Sequence, residues 1–463
     1  MSSQKSGNSG PGPRAGASES QPRSMTRRKL LVGSAIAGAA AVAGFAPRLF
    51  AAEAGGHVTG GTDLSREIRL GYITPRSGSL GQFGQTDPYM LELVRKLFAG
   101  GVVLGGEKYD IKILDRDSQS SASRATQLAD ELITKHKVHL MLSTPGAQTV
   151  NPISDVFEAA HVPSIGTDCP LESFFFGRGG KVGSSNGFAW TFDYSPDNAQ
   201  FGAVYIAMWN GMKTNRKVGV MYPNDADGAA FRDHLAPILE KGGYKIIDPG
   251  PYQDGTTDYA TQIGLFNRED CQIFNSIPLP ADFNAMWRQA AELHYAQKVI
   301  VAQIAKDCLF ATQVTPLGRL GYNLATATLW TPAFPYTSPL TGLTPRQYAD
   351  GYEKASGKQW TQQMGASLSL FEVAKAVLER AKDPTDHAAI RDVVPTLKMT
   401  TTIGPMDFTK GPYPSTATTP QIGGQWVKAP ASSKFPLDLL IVNNDQDRKV
   451  PLQRKLQPYN LHL

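Results

Sequence analysis

EIRLGYITPRSGSLGQFGQTDPYMLELVRKLFAGG, residues 67–101, decides the fold. Residues 67–73 form a short apolar run of strand length, and Asp87 and Pro88 then supply an N-cap and a first-turn proline for a helix. Met90, Leu91, Val94, Leu97 and Phe98 recur at helical spacing until Gly100 and Gly101 end the run. The stretch is one complete strand–loop–helix unit.

The same rhythm continues outward. Residues 109–114 alternate as a strand, 123–134 repeat the helical spacing through Leu128, Leu132 and Ile133, and 138–142 read as a buried strand. A helix from about 150 to 160 leads into a fourth strand at 162–165. Four strands with intervening helices predict a parallel sheet with right-handed crossovers. A glycine-rich break at 177–187 interrupts the rhythm before an aromatic strand at 188–192. It restarts with a helix at about 196–209 and strands at 217–221, 244–247, 271–276, 298–301 and 326–330. This is a second α/β lobe. Beyond the proline-rich 332–345, two amphipathic helices (about 345–355 and 364–381) precede strands at 403–408 and 437–442. The polar stretch 415–434 reads equally as a loop or a hairpin.

The N-terminus reads as a leader. Thr26, Arg27, Arg28, Lys29, Leu30 and Leu31 resemble the twin-arginine export motif, and an apolar stretch follows to Ala46, then Pro47 and Arg48, with Ala52, Glu53 and Ala54 as a small-x-small cleavage site. The expected route is export of the folded chain to the periplasm by the twin-arginine machinery, with the leader removed near Ala54. A membrane anchor is the rival, but the stretch falls short of the roughly 20 apolar residues a bilayer needs and Gly33, Gly38 and Gly44 dilute it. The residues before Met25 are rich in Ser, Gly and Pro, so Met25 is a candidate start.

Removing the leader changes the charge. The chain has 46 basic and 41 acidic side chains, and residues 1–54 hold seven of the first and two of the second, leaving 39 of each. The positive balance belongs to the leader, and nothing in the mature part points to nucleic acid.

Chemistry-bearing motifs are sparse. Cys169, Cys271 and Cys308 cannot build a disulfide framework and read as small buried side chains, with one disulfide as the minority reading. His136 and His139 lack a third ligand and read as ordinary polar residues, so no metal is expected. Residues 183–187 match G-x-S-x-G around Ser185, but a loop precedes them and a strand-like segment follows, the wrong context for a nucleophile elbow. There is no phosphate-cradling glycine loop, so no nucleotide cofactor is expected. An enzyme is not expected.

Several short segments carry a resemblance. They are Gly71, Tyr72, Ile73 and Thr74 with Ser77, Gly78 and Gly81 to Gly84; Ser143 to Thr149 running on through Pro152, Ile153, Ser154 and Asp155; and Val162, Pro163, Ser164 and Ile165. Asp227 and Gly228; Thr257, Asp258 and Tyr259; Arg288, Gln289 and Ala290; and residues 403–408 follow in the second lobe. In this order and spacing the chain resembles the type I periplasmic solute-binding proteins of ABC importers, in particular the Leu/Ile/Val-binding family, over about 68–443. The resemblance implies two Rossmann-like lobes joined by hinge crossovers near 190–194 and 329–335. Lobe 1 is expected at 66–190 plus about 332–402, lobe 2 at 191–331 plus about 403–445, and a tail at 446–463. It implies a substrate-binding component that captures an amino acid or related small carboxylate or amide and delivers it to the membrane permease subunits. A ligand-sensing receptor of the same fold is the alternative, and an exported serine hydrolase a distant third.

Strand-end loops of open α/β sheets and helix N-termini supply the binding groups. The expected ligand-binding residues are Ser77, Phe83, Ser143, Gly146, Ala147, Gln148, Thr149, Asp168, Cys169, Asp227, Leu279 and Gln303. Phe83 matches the family's aromatic wall. Asp227 stands where the family often has a tyrosine, Leu279 replaces another tyrosine, and Gln303 aligns with the acid that pairs with the ligand's ammonium. A buried ammonium facing only an amide loses several kcal/mol unless another carboxylate replaces that acid. If Asp227 points into the cleft, the solute remains an amino acid or amine; if it faces solvent, the solute is an amine-free carboxylate or amide. Residues 174–176, three phenylalanines, read as core or lobe contact rather than pocket.

Overall fold

The computed structural model describes residues 66–181, 183 and 187–462. The twin-arginine segment, the cleavage site near Ala54 and Ser185 lie outside the described residues. Strands are β1 (Arg66–Thr74), β2 (Val102–Leu104), β3 (Glu107–Asp117), β4 (Leu140–Ser143), β5 (Ser164–Thr167), β6 (Thr191–Tyr194), β7 (Lys217–Met221), β8 (Lys245–Ile247), β9 (Ile273–Ser276), β10 (Val301–Ile304), β11 (Ala325–Thr328), β12 (Lys398–Thr401), β13 (Gly404–Asp407), β14 (Thr416–Ala417), β15 (Ile422–Lys428) and β16 (Leu437–Asn443). They form two seven-stranded sheets, ordered β14-β6-β5-β4-β1-β3-β2 and β16-β15-β11-β10-β9-β7-β8, and the small hairpin β12-β13.

Parallel pairing runs from β14 to β3 in the first sheet, and from β11 to β8 in the second. Antiparallel edges are β2 on β3 and the pair β15-β16 on β11. Counting parallel strands only, both sheets place their first strand between the second and the third, β1 between β3 and β4 and β7 between β8 and β9. Buried on both faces, the central strands are near-continuous apolar runs: Leu140, Met141 and Leu142 of β4 and Val301, Ala302 and Ile304 of β10 are at most 2 % exposed.

Local chemistry fixes the helices. Ser121 accepts from Arg124 N at the start of Ala122–Thr134, and Asp197 forms a reciprocal capping box with Gln200 at Asn198–Asn210. Pro345–Ser356 begins with its proline behind a Thr344 cap and ends on Gly357 at φ 73°. The expected cap at residue 87 moves by one: Thr86 precedes the helix Asp87–Phe98 without a side-chain cap, because the Asp87 carboxylate turns inward to Tyr72 and Thr74.

The chain crosses between the lobes three times, at 195–197, 329–344 and 418–421. The sheets divide the sequence differently from the expected lobe boundaries. β6 is an interior strand of the first sheet, pairing β5, so the first crossover follows Tyr194, and β14 returns to pair with β6. Helix Gln363–Arg380 packs on β4 and β5, which puts it with lobe 1. The stretch 415–434 holds β14 and β15, and β15 forms a hairpin with β16.

Candidate functional site

A pocket whose empty space, open solvent included, is about 430 Å³ lies between the lobes, at the carboxyl ends of both sets of strands. Lobe 1 supplies Phe83 after β1, Pro145 and Gly146 after β4, and Asp168 and Pro170 after β5. Lobe 2 supplies Phe201, Asp227 after β7, Ile277 after β9, Ala305, Lys306 and Leu309 after β10, and Ala327 and Leu329 at β11. Most of this wall is apolar, and Asp168, Asp227 and Lys306 are its ionisable groups.

The backbone is turned at three of these positions. Gly146, Asp168 and Lys306 all have left-handed φ, at 61°, 56° and 58°. Glycine takes this region freely and aspartate tolerates it, but a lysine there stores roughly 1 kcal/mol or more of strain, a common mark of a functional position. Gly146 N donates to the Asp168 carbonyl at 2.8 Å, tying the loops after β4 and β5 together.

Lys306 is 8 % exposed and Asp227 only 1 %. Lys306 Nζ donates to Asp227 Oδ2 at 2.6 Å and lies 3.7 Å from Asp225 Oδ2. Burial alone would lower the lysine's pKa, but Asp227 and Asp225, with Asp254 behind them, outweigh it and hold the ammonium above its ordinary range. Asp225 caps the helix Ala226–Ala230 by accepting from Gly228 N. Burial pushes the Asp225 carboxyl up against the opposing pull of Lys306. Asp168 is also driven up, first by burial and then by the negative charge of Asp227. Asp227 Oδ1 and Asp168 Oδ2 are buried and have no hydrogen-bond partner among the described residues.

Other contacts join the lobes beside the cavity. Gln148 Nε2 donates across the cleft to Asp225 Oδ2 at 3.1 Å and Asp254 Oδ2 at 3.2 Å. Thr312 Oγ1 donates to Gln82 Oε1, Phe83 meets Phe310 edge-on at 4.7 Å, and Phe176 stacks on His234 at 4.6 Å.

Of the twelve expected ligand-binding residues, Phe83, Gly146, Asp168 and Asp227 come together in the cavity wall. Gln148 sits at its rim as an interlobe bridge. Ser143, Ala147, Thr149 and Cys169 are buried beside the same loops, with Ala147 and Cys169 packed against Phe174 and Phe175. Leu279 lies one layer behind, in an apolar cluster with Phe83, Leu309 and Phe310. Ser77 is exposed and donates to Asp117 Oδ2. Gln303 is fully buried within β10 and does not line the cavity. The charged residue of that segment that does is Lys306, three positions on. Its signal was a single lysine inside the otherwise apolar run from Val301 to Phe310, interrupted only by Gln303 and Asp307. Phe174 and Phe175 are core and Phe176 is a lobe contact. The three cysteines are buried and free. His139 accepts from Arg69 N, and His136 contacts Glu131 and Arg116.

Solved structures share this architecture at low identity. A leucine-binding protein from Thermotoga maritima is 14% identical, with a TM-score of 0.65 over 82% of this chain and 99% of that one. An ABC transporter solute-binding protein from Rhodopseudomonas palustris, in complex with 3,4-dihydroxybenzoic acid, is 16% identical, with a TM-score of 0.64 over 82% and 98%. An ABC transporter substrate-binding protein from Sphaerobacter thermophilus is 16% identical, with a TM-score of 0.67 over 82% and 99%. These likenesses carry the two-lobed fold. Residues 67–420 match the family described as periplasmic binding protein. The chain belongs to that family, one of binding proteins rather than enzymes.

Proposed function

We propose that this periplasmic binding protein is the substrate-binding component of an ABC importer. It is exported by the twin-arginine route, loses its leader near Ala54, captures an amino acid or related small carboxylate or amide between its lobes, and delivers it to the membrane permease subunits. One observation supports the amino-acid end of that class above the rest: each lobe contributes a buried carboxyl, Asp168 and Asp227, with an oxygen that still lacks a donor. A solute ammonium supplies donors and positive charge to both. Lys306 is already matched by Asp227 and Asp225, so the wall has no surplus cation for an amine-free acid. The first turn of Gly146–Ala159 opens at the wall, and its backbone N–H groups suit the solute's carboxylate. The apolar remainder of the wall takes the side chain. A solute that touches both lobes favours the closed form, the form a permease can distinguish.

The test is a thermal-shift screen of leucine, phenylalanine and glutamate beside benzoate, 4-hydroxybenzoate and short-chain acids. A bound amino acid at 100 times its dissociation constant adds about 2.7 kcal/mol of stability, and Asp227→Asn weakens its binding. Stabilisation by amine-free acids alone, or amino-acid binding indifferent to Asp227→Asn, overturns the amino-acid reading.

A further inference from the structure

Asp168 combines a left-handed backbone, which Lys306 shares, with a buried oxygen that lacks a donor, which Asp227 shares. Its left-handed backbone sits at the end of β5, its carbonyl is fixed by Gly146 N, and its Oδ2 is out of water with no donor among the described residues. The cation of the wall, Lys306, is committed to Asp227 and Asp225. Asp227, on the helix Ala226–Ala230, is the acid that bears on Asp168; Asp193 of β6 and the Cys169 thiol also lie near it, both driven toward their neutral forms by burial, and Arg178 faces Asp193. Asp193 is itself buried, accepts from Ser195 Oγ, and offers Asp168 no donor.

We infer that Asp168 carries a proton in the solute-free protein and surrenders it when the solute's ammonium is seated between Asp168 and Asp227, so that capture of the solute and release of a proton are one event. The inference rests on the amine-bearing solute proposed above. A lone carboxylate buried beside Asp227 has nothing to offset its desolvation, and protonation removes the cost. Burial and the charge of Asp227 both raise the Asp168 pKa, with Lys306 alone opposing them. When an ammonium enters, its charge replaces the proton's. The proton passes from the Asp168 carboxyl to solvent, no other bond changes, and the ammonium's charge offsets the one left on Asp168.

Linkage fixes the direction. In the pH range where Asp168 is protonated in the free protein and ionised in the complex, affinity for an ammonium rises about tenfold per pH unit, and Asp168→Asn removes that slope. The test uses three matched probes: leucine, 3-methylbutylamine, which lacks the carboxylate, and 4-methylpentanoate, which lacks the amine. Calorimetry on the wild-type protein in two buffers of different ionisation heat reads protons released per binding event. About one proton is expected for leucine or the amine. In the solute-free protein at neutral pH, the infrared difference between wild type and Asp168→Asn is expected to show the carbonyl stretch of a protonated carboxyl. Binding of leucine or the amine without proton release, or a carboxylate signature at Asp168 in the free protein, overturns the inference and leaves the amino-acid reading standing. Capture of 4-methylpentanoate alone overturns both.

Discussion

In lobe 1 the buried Asp87 is held by Tyr72, Thr74 and Ser367, with no ion-pair partner among the described residues, whereas in lobe 2 the buried Asp227 lies 2.6 Å from a lysine ammonium. The contrast extends beyond one pair. Glu172 accepts from Asn198 N and Tyr413 Oη, and Glu372 accepts from Thr402 N, again without a cation. Burial pushes Asp87, Glu172 and Glu372 each up to about 7. Lobe 2 has a lone buried acid too, Asp307, but its cleft face is organised around Lys306. Hydroxyl and amide donors permit an acid to stay neutral, whereas an ammonium holds its neighbour ionised. The acids buried inside lobe 1 and the pair at the cleft face of lobe 2 thus differ in what compensates their burial.

The largest expected effect comes from removing the cation. Lys306→Met leaves Asp225 and Asp227 buried around an empty centre, and breaking a buried pair from one side costs roughly 3–5 kcal/mol. Urea unfolding measures it, and adding Asp227→Asn to the same chain should recover most of the loss. A loss below about 1 kcal/mol would show that lobe 2 does not depend on the pair, and the contrast between the lobes would collapse.

A pH series tests the buried acids next. Folding raises the three lobe 1 acids from ordinary values of 3.8 and 4.5 to about 7, so between those limits the native state binds more protons than the unfolded chain. Stability then falls as pH rises through that window. Lys306 has its pKa raised above 10.5, so its contribution is present throughout the window and is lost only in alkali. His139, held down to about 4 by burial, opposes the trend below its ordinary 6.5, whereas burial of Asp168 and Asp193 in lobe 1 and of Asp225 and Asp307 in lobe 2 adds to it. The protein is expected to be less stable at pH 8 than at pH 5 by several kcal/mol, read from urea midpoints, with Asp87→Asn making the slope shallower. Equal midpoints would mean that the three lobe 1 acids are ionised at both pH values despite their burial.

The fold was legible where periodicity was strong. The expected 217–221 strand coincides with β7, and the helices expected at 345–355 and 364–381 differ from Pro345–Ser356 and Gln363–Arg380 by a residue. Short strands slipped: 298–301 was expected where β10 is Val301–Ile304, because Val299 and Ile300 continue the apolar run without marking its edge. β14 has two residues, too few for any period, and so the return of the chain to lobe 1 was not visible. At the site, Phe83, Gly146, Asp168 and Asp227 were readable because strand-end loops carry the wall. Lys306 was not, since its importance lies in Asp225 and Asp227, some 80 positions earlier in the chain. A buried ion pair of that separation has no local spacing to read.

The smallest effect concerns what holds the two unlike faces together. Gln148 belongs to lobe 1, but its amide donates to Asp225 and Asp254 of lobe 2, so it reports on closure and on neither lobe alone. Gln148→Ala removes two partly exposed hydrogen bonds and is expected to shift the closed–open balance by about 1 kcal/mol, roughly fivefold, with the unfolding midpoint unchanged. Gln148→Glu should open the cleft further, because it sets a third carboxylate against Asp225 and Asp254. Distance distributions between a label on each lobe, measured without solute, read the shift directly, and solute affinity should fall by the same factor because closure is part of binding. An alanine variant with unchanged distances and unchanged affinity would mean that the lobes are held by the Phe83–Phe310 and Phe176–His234 contacts instead. The polar bridge would then serve only to orient Asp225 toward Lys306.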